Sequence, residues 1–121
     1  MTYRDLDVYK RSYKLAVRVH LISLQLPKEY RFDLADQIRR ASRSIPSNIA
    51  EGYGRCKSKR DTVSQLRTAL GSNDEILFNL EFMKDVNLIS RDDFQELTDE
   101  YVIVGKELFR LIKSLTRLTS N

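Results

Sequence analysis

The chain of 121 residues reads as all-α, an antiparallel up-down-up-down four-helix bundle, and three observations lead there. Four glycines and two prolines are too few for the turns of a sandwich or barrel. Apolar residues recur at steps of three and four through long stretches rich in Leu, Arg, Lys, Glu and Asp, which is the helical period. Breaks after Leu26, Gly54 and Asn87 separate four such stretches, and connections this short make successive helices antiparallel neighbours. One domain, residues 1–121, accounts for the length, and a hydrophobic content of 41% is enough for a continuous core.

In the first helix Asp5 is the expected cap, and Pro27 stops the helix after Leu26. Val8, Leu15, Val19, Ile22 and Leu26 form one stripe; Tyr9, Tyr13, Ala16, His20 and Leu24 lie beside it. Together they cover roughly 200° of the circumference at about 100° per residue, more than a surface helix buries in a monomer. Tyr9, Tyr13 and His20 are therefore expected at a subunit or partner interface.

Asp33 caps a second helix whose apolar stripe is Leu34, Ile38, Ala41, Ile45 and Ile49. Arg39, Arg40 and Arg43 avoid that stripe and present guanidinium forks suited to carboxylates or phosphates. Pro46 cannot donate to the Ser42 carbonyl, a defect of about 3 kcal/mol in a helix interior. Ser42, Ser44, Ser47 and Asn48 can satisfy the freed groups locally, so the helix is expected to kink near Pro46 or to break and restart near Ser44. Gly52 and Gly54 end it, and a basic turn, Arg55-Cys56-Lys57-Ser58-Lys59-Arg60, follows.

Ser58 with Asp61 makes a capping pattern, which starts the third helix near Lys59. Val63, Leu66, Leu70, Leu77, Leu80 and Met83 form its buried side, with Asn73 on or beside the seam. Gly71 in mid-helix implies a close helix approach or relief of crowding, because glycine there costs up to about 1 kcal/mol against alanine. Asn87 marks the end. Ser90 with Asp93 repeats the cap, and the last helix carries a heptad seam of Phe94, Leu97, Tyr101, Val104, Leu108, Leu111, Leu115 and Leu118.

Catalytic constellations are missing. Glu51 and Glu75 could face each other across successive helices, but a carboxylate-bridged metal centre also needs paired Glu-x-x-His motifs, and His20 is the only histidine. No metal and no cofactor is expected. Cys56 lies between Arg55 and Lys57 without a recognisable base, and Gly52-Tyr53-Gly54 lacks the rest of a dinucleotide fingerprint and a preceding strand. The single cysteine fits a reducing compartment, no apolar run approaches the ~20 residues of a membrane span, and a cytoplasmic location is expected.

Charge is segregated along the chain. Residues 1–70 carry 15 basic and 7 acidic groups, residues 71–107 carry 3 and 10, and residues 108–121 carry 3 and none. Such a molecule suits polyanions on one face, or self-association of unlike surfaces. Arg39, Arg40, Arg43, Arg55, Lys57, Lys59 and Arg60 are the candidate nucleic-acid contacts. The alternative is that these arginines pair with the acidic third and fourth helices of the same or a neighbouring subunit, in an assembly scaffold or accessory subunit that binds no nucleic acid.

Arg39-Arg40-Ala41, Ser44-Ile45, Pro46-Ser47-Asn48-Ile49-Ala50-Glu51-Gly52 and Ala69-Leu70-Gly71-Ser72 with Glu75 resemble the four-helix-bundle family encoded in large-subunit ribosomal RNA intervening sequences. Asp5-Leu6, Leu26-Pro27, Leu34 and Gln37 extend the resemblance over almost the whole chain. The resemblance implies a ring-like homopentamer with no known reaction. It marks Pro46, Asn48, Glu51, Gly52, Gly71, Ser72 and Glu75 as motif residues. That family is similar in turn to the accessory variability determinant protein of diversity-generating retroelements. This second likeness implies RNA or DNA and a polymerase-type protein as partners.

Overall fold

In the computed structural model, which describes residues 2–55 and 58–119, every regular element is helical. Four long helices, α1 (Asp7–Ser23), α2 (Leu34–Gly54), α3 (Lys59–Asp85) and α4 (Arg91–Thr119), are accompanied by 3-10 turns at Tyr3–Asp5 and Lys28–Tyr30. Each long helix packs on its neighbour in sequence, and α4 returns to α1 across a thinner seam, which closes an up-down-up-down bundle.

Local chemistry sets the ends. Asp33, Ser58 and Ser90 cap α2, α3 and α4 as their sequence positions lead one to expect. The start of α1 differs. Thr2 and Asp5 form a reciprocal capping box around the Tyr3–Asp5 turn, so Asp5 serves that turn and α1 begins at Asp7. Its end comes at Ser23 rather than Leu26, because the Gln25 and Leu26 amides donate to Ile22 and Ser23 in tighter 3-10 geometry ahead of Pro27. Asn87 takes the left-handed conformation, φ 62°, while the Leu88 amide donates to Met83 and the Asn87 amide to Lys84, a Schellman termination with Asn in the glycine position.

The core lies where the stripes converge: Val8, Leu15 and Val19 of α1, Ile38, Ile45 and Ile49 of α2, Leu66, Ile76 and Met83 of α3, and Leu97, Tyr101, Val104 and Leu108 of α4. On α4 the seam steps from Leu108 to Ile112, leaving Leu111 at its margin. A helix of 3.6 residues per turn drifts about 20° per heptad, and after two heptads Ile112 has rotated inward.

Pro46 is buried inside an uninterrupted α2, so no break and restart occurs at Ser44. Asn48 Nδ2 donates to the Ser44 carbonyl at 2.7 Å and to its hydroxyl at 2.9 Å, and Ser72 of α3 donates to that hydroxyl at 2.8 Å. Gly52 lets α2 and α3 approach closely: a Cβ there would stand 3.2 Å from Gln65 Cβ, and Thr62 Oγ1 donates to the Gly52 carbonyl at 2.8 Å. Gly71 does not have the expected role. It is exposed, with nothing within 4 Å of a Cβ placed on it. The glycine that relieves crowding is Gly105 on α4, whose Cβ would sit 2.9 Å from Asn73 Nδ2.

Candidate nucleic-acid interface and assembly surfaces

The four sides of the bundle alternate in character. Between α4 and α1, Arg11 reaches Glu100 at 2.7 Å and Glu107 at 3.1 Å, and Arg18 reaches Glu96 at 2.8 Å and Asp93 at 3.2 Å. Hydrogen bonding to Glu100 raises the Arg11 pKa above its ordinary value against some desolvation, so the guanidinium stays charged. The opposite side, between α2 and α3, carries the Ser44–Asn48–Ser72 cluster.

The other two sides are apolar. Tyr13, Ala16, Val17, His20 and Leu21 of α1 line a groove with Pro46, Ser47 and Arg43 of α2. Tyr13 is 54% and Leu21 56% exposed, while Ala16 is buried, so the second stripe of the first helix splits between core and surface. Directly across the bundle, Leu70 and Leu77 of α3 line a second groove with Val102, Gly105 and Phe109 of α4, edged by Asp74, Lys106 and Arg110, and Phe78 and Phe82 are exposed elsewhere on α3. Exposed apolar residues thus line grooves on two opposite sides of the bundle.

Charge separates along the axis. The start of α1, the end of α2, the start of α3 and the end of α4 lie together at one end of the bundle. Among the described residues that half (2–14, 45–55, 58–71 and 106–119) holds 12 Lys and Arg against 5 Asp and Glu, and the other half holds 8 against 12. The blocks seen along the chain thus become a dipolar molecule with one strongly basic end.

This arrangement divides the predicted basic patch. Arg55, Lys59 and Arg60 stand exposed at the basic end and make no ion pair among the described residues. Lys57 and Cys56 lie outside the described residues. Arg39, Arg40 and Arg43 lie in the other half, Arg43 twelve residues along α2 from Arg55, about 18 Å at 1.5 Å per residue. Arg39 donates to Ser23 Oγ at 3.0 Å and so ties α2 to α1. Arg40 pairs with Asp36 one turn away, which holds that carboxyl below the usual carboxylate range. Arg43 Nε donates to the Arg39 carbonyl at 3.4 Å.

Of the motif residues, Asn48, Gly52 and Ser72 serve the α2–α3 packing and Pro46 lines the α1–α2 groove, whereas Glu51, Gly71 and Glu75 are exposed. Glu51 and Glu75 form no ion pair among the described residues, although the Glu75 charge contributes to holding the Arg40 pKa up. No group of three or more His, Cys, Asp or Glu placed to hold a metal occurs among the described residues, and no described helix is long and apolar enough to cross a membrane.

An aromatic cluster that the helical spacing does not reveal stands at the basic end. Tyr3 stands edge-on to Tyr9 with ring centroids 5.0 Å apart, and Tyr9 lies 6.1 Å from Tyr13. The Arg4 guanidinium sits 5.0 Å from the Tyr3 ring centre, and the same ring packs over Gly54, beside the half-exposed Tyr53. Tyr9 and Tyr13 are spaced as a helical stripe, whereas Tyr3 joins them from the turn ahead of α1.

A solved structure with a similar fold supports the architecture. It belongs to a protein of unknown function of the S23 ribosomal protein family from Bacteroides thetaiotaomicron, with a TM-score of 0.80, 28% identity, and coverage of 88% of this chain and 95% of that one. No curated protein matches the chain. The family model for the 23S rRNA-intervening sequence protein matches residues 4–110, from the aromatic turn through most of α4, and the chain is a member of that family.

Proposed function

We propose that the protein is a non-catalytic homo-oligomer whose aligned basic ends bind a nucleic-acid backbone, RNA foremost. The axial charge separation carries this reading. In a closed ring every subunit bears the same relation to the symmetry axis, so bundles standing along that axis bring all their basic ends to one rim. A weak patch of exposed Arg55, Lys59 and Arg60 is then repeated around the rim, five times in the pentamer that the motif implies. The two opposite apolar grooves support head-to-tail assembly, α1 and α2 of one subunit against α3 and α4 of the next.

The test is a salt titration of binding to structured RNA and duplex DNA, with oligomer mass measured in the same buffers. Affinity near 0.15 M salt should fall linearly in log salt, with a slope of about 0.9 per neutralised phosphate on duplex DNA. Combining Lys59→Glu with Arg60→Glu should weaken binding at least tenfold and flatten the slope by about two. Combining Arg40→Glu with Arg43→Glu, in the other half of the bundle, should change binding far less. Absence of binding by an intact oligomer would overturn this reading and leave a scaffold for a protein partner, for which the apolar grooves are the available surface.

A further inference from the structure

Resting on the nucleic-acid reading, we infer that the basic end takes single-stranded segments, with unpaired bases stacking on Tyr53 and on the Tyr3–Arg4 pair. Backbone contact alone needs only positive charge, and surface lysines and arginines would suffice for it. This end has aromatic rings interleaved with that charge. Tyr53, in the last turn of α2, leaves 38% of its surface exposed, with Arg55 two residues on. Tyr3 is braced from beneath by Gly54 and from the side by Tyr9, while the Arg4 guanidinium lies over it. The ring lies 3.8 Å from where a Cβ at position 54 would stand, an ordinary van der Waals distance, so the aromatic turn packs against the end of α2. Held by Gly54 and Tyr9, the Tyr3 ring fixes the exposed Arg4 guanidinium above it, and a guanidinium parked on an aromatic can stack on a base as well as pair with a phosphate. Rings spaced among Arg4, Lys10, Arg55, Lys59 and Arg60 match the combination of backbone-tracking charge and base-stacking faces that single strands require and that a paired duplex, with its bases enclosed, cannot use.

The chain has six tyrosines and no tryptophan, so tyrosine emission reports stacking directly. Oligothymidylate and oligouridylate would be titrated into the full-length protein beside a duplex of equal phosphate count at the same salt. The expected result is tighter binding of the single strands, with quenching of tyrosine emission that the duplex does not produce. Tyr53→Leu and Tyr3→Leu should each lose roughly tenfold on oligothymidylate and little on duplex, and Tyr53→Phe should bind like the wild type. Should a leucine variant fail to fold, the wild type's tyrosine quenching by single strands against duplex still decides the proposal. Equal or tighter binding of duplex, unquenched emission, or full single-strand affinity in the folded leucine variants would overturn the stacking proposal. If instead the wild type binds neither form, or Lys59→Glu with Arg60→Glu binds both unchanged, the nucleic-acid reading itself falls.

Discussion

Tyr101 carries its hydroxyl into the middle of the bundle, where the residue has no exposed surface and the oxygen has no hydrogen-bond partner among the described residues. Burial pushes the phenol above its ordinary value near 10, because the charged form would lose its hydration. The folded protein therefore holds this proton when the unfolded chain releases it. Stability is unaffected below pH 10 and falls as pH rises above it, by up to about 1.4 kcal/mol per pH unit from this group. Urea unfolding between pH 9 and 11 should show that decline, and Tyr101→Phe should reduce it. At pH 7 the same variant should be as stable as the wild type or more so, by up to about 1 kcal/mol, since it removes an unpaired buried hydroxyl. A clear loss at pH 7 would mean that the hydroxyl has a partner, such as a buried water.

At the scale of the helix, two glycines separate propensity from packing. Gly71 occupies the middle of α3 with open space around it, so Gly71→Ala should raise stability by about 0.5–1 kcal/mol through helix propensity alone. Gly105 in α4 shares that propensity, but its added methyl would press on Asn73, which is buried and donates from Nδ2 to the Tyr101 carbonyl at 3.0 Å. Gly105→Ala should therefore lower stability, by about 1–3 kcal/mol, as the Asn73 contact is displaced. Denaturant midpoints of the two variants against the wild type check both signs. A stable Gly71→Ala protein that no longer assembles would place a neighbouring subunit against that open turn.

For the whole molecule, the head-to-tail assembly proposed above gives the two apolar sides distinct, separable roles. A head-to-tail interface uses two different surfaces, so blocking either one blocks growth while the other stays competent. Leu21→Glu on the α1–α2 side and Phe109→Glu on the α3–α4 side should each give folded monomers, by circular dichroism and sedimentation. Mixed in equal amounts, the two variants should form a discrete heterodimer through their remaining intact surfaces. A self-complementary interface would instead leave at least one variant dimeric alone and produce no rescue on mixing. Across the other two sides, ion pairs between α1 and α4 and the hydroxyl cluster between α2 and α3 offer polar surface that water can cover.

Helix number, order and most boundaries were legible because they depend on neighbours in the chain. Apolar spacing fixes which side of α2 is buried, Asp33, Ser58 and Ser90 supply caps within three residues of the groups they satisfy, and Asn87 ends α3 by its own backbone conformation. Near the start, where Thr2 competes with Asp5 for the capping role, local chemistry has two solutions, and the chain takes the one that puts Asp5 in the capping box of the first turn. What depended on distant residues was hidden. Arg11 and Arg18 find carboxylates 75 to 96 positions away, Gly105 is explained only by Asn73, and the basic end gathers charge from four separated stretches. The motif arginines looked like one patch with the basic turn because they are close in sequence, but a helix rising 1.5 Å per residue carries them about 18 Å apart. By itself the sequence determined the helices and the inward-facing stripes, since both follow from short-range periodicity. Only the tertiary structure decided which charges meet, which glycine is crowded and which end of the molecule is basic, because each depends on how antiparallel helices bring remote residues to the same level.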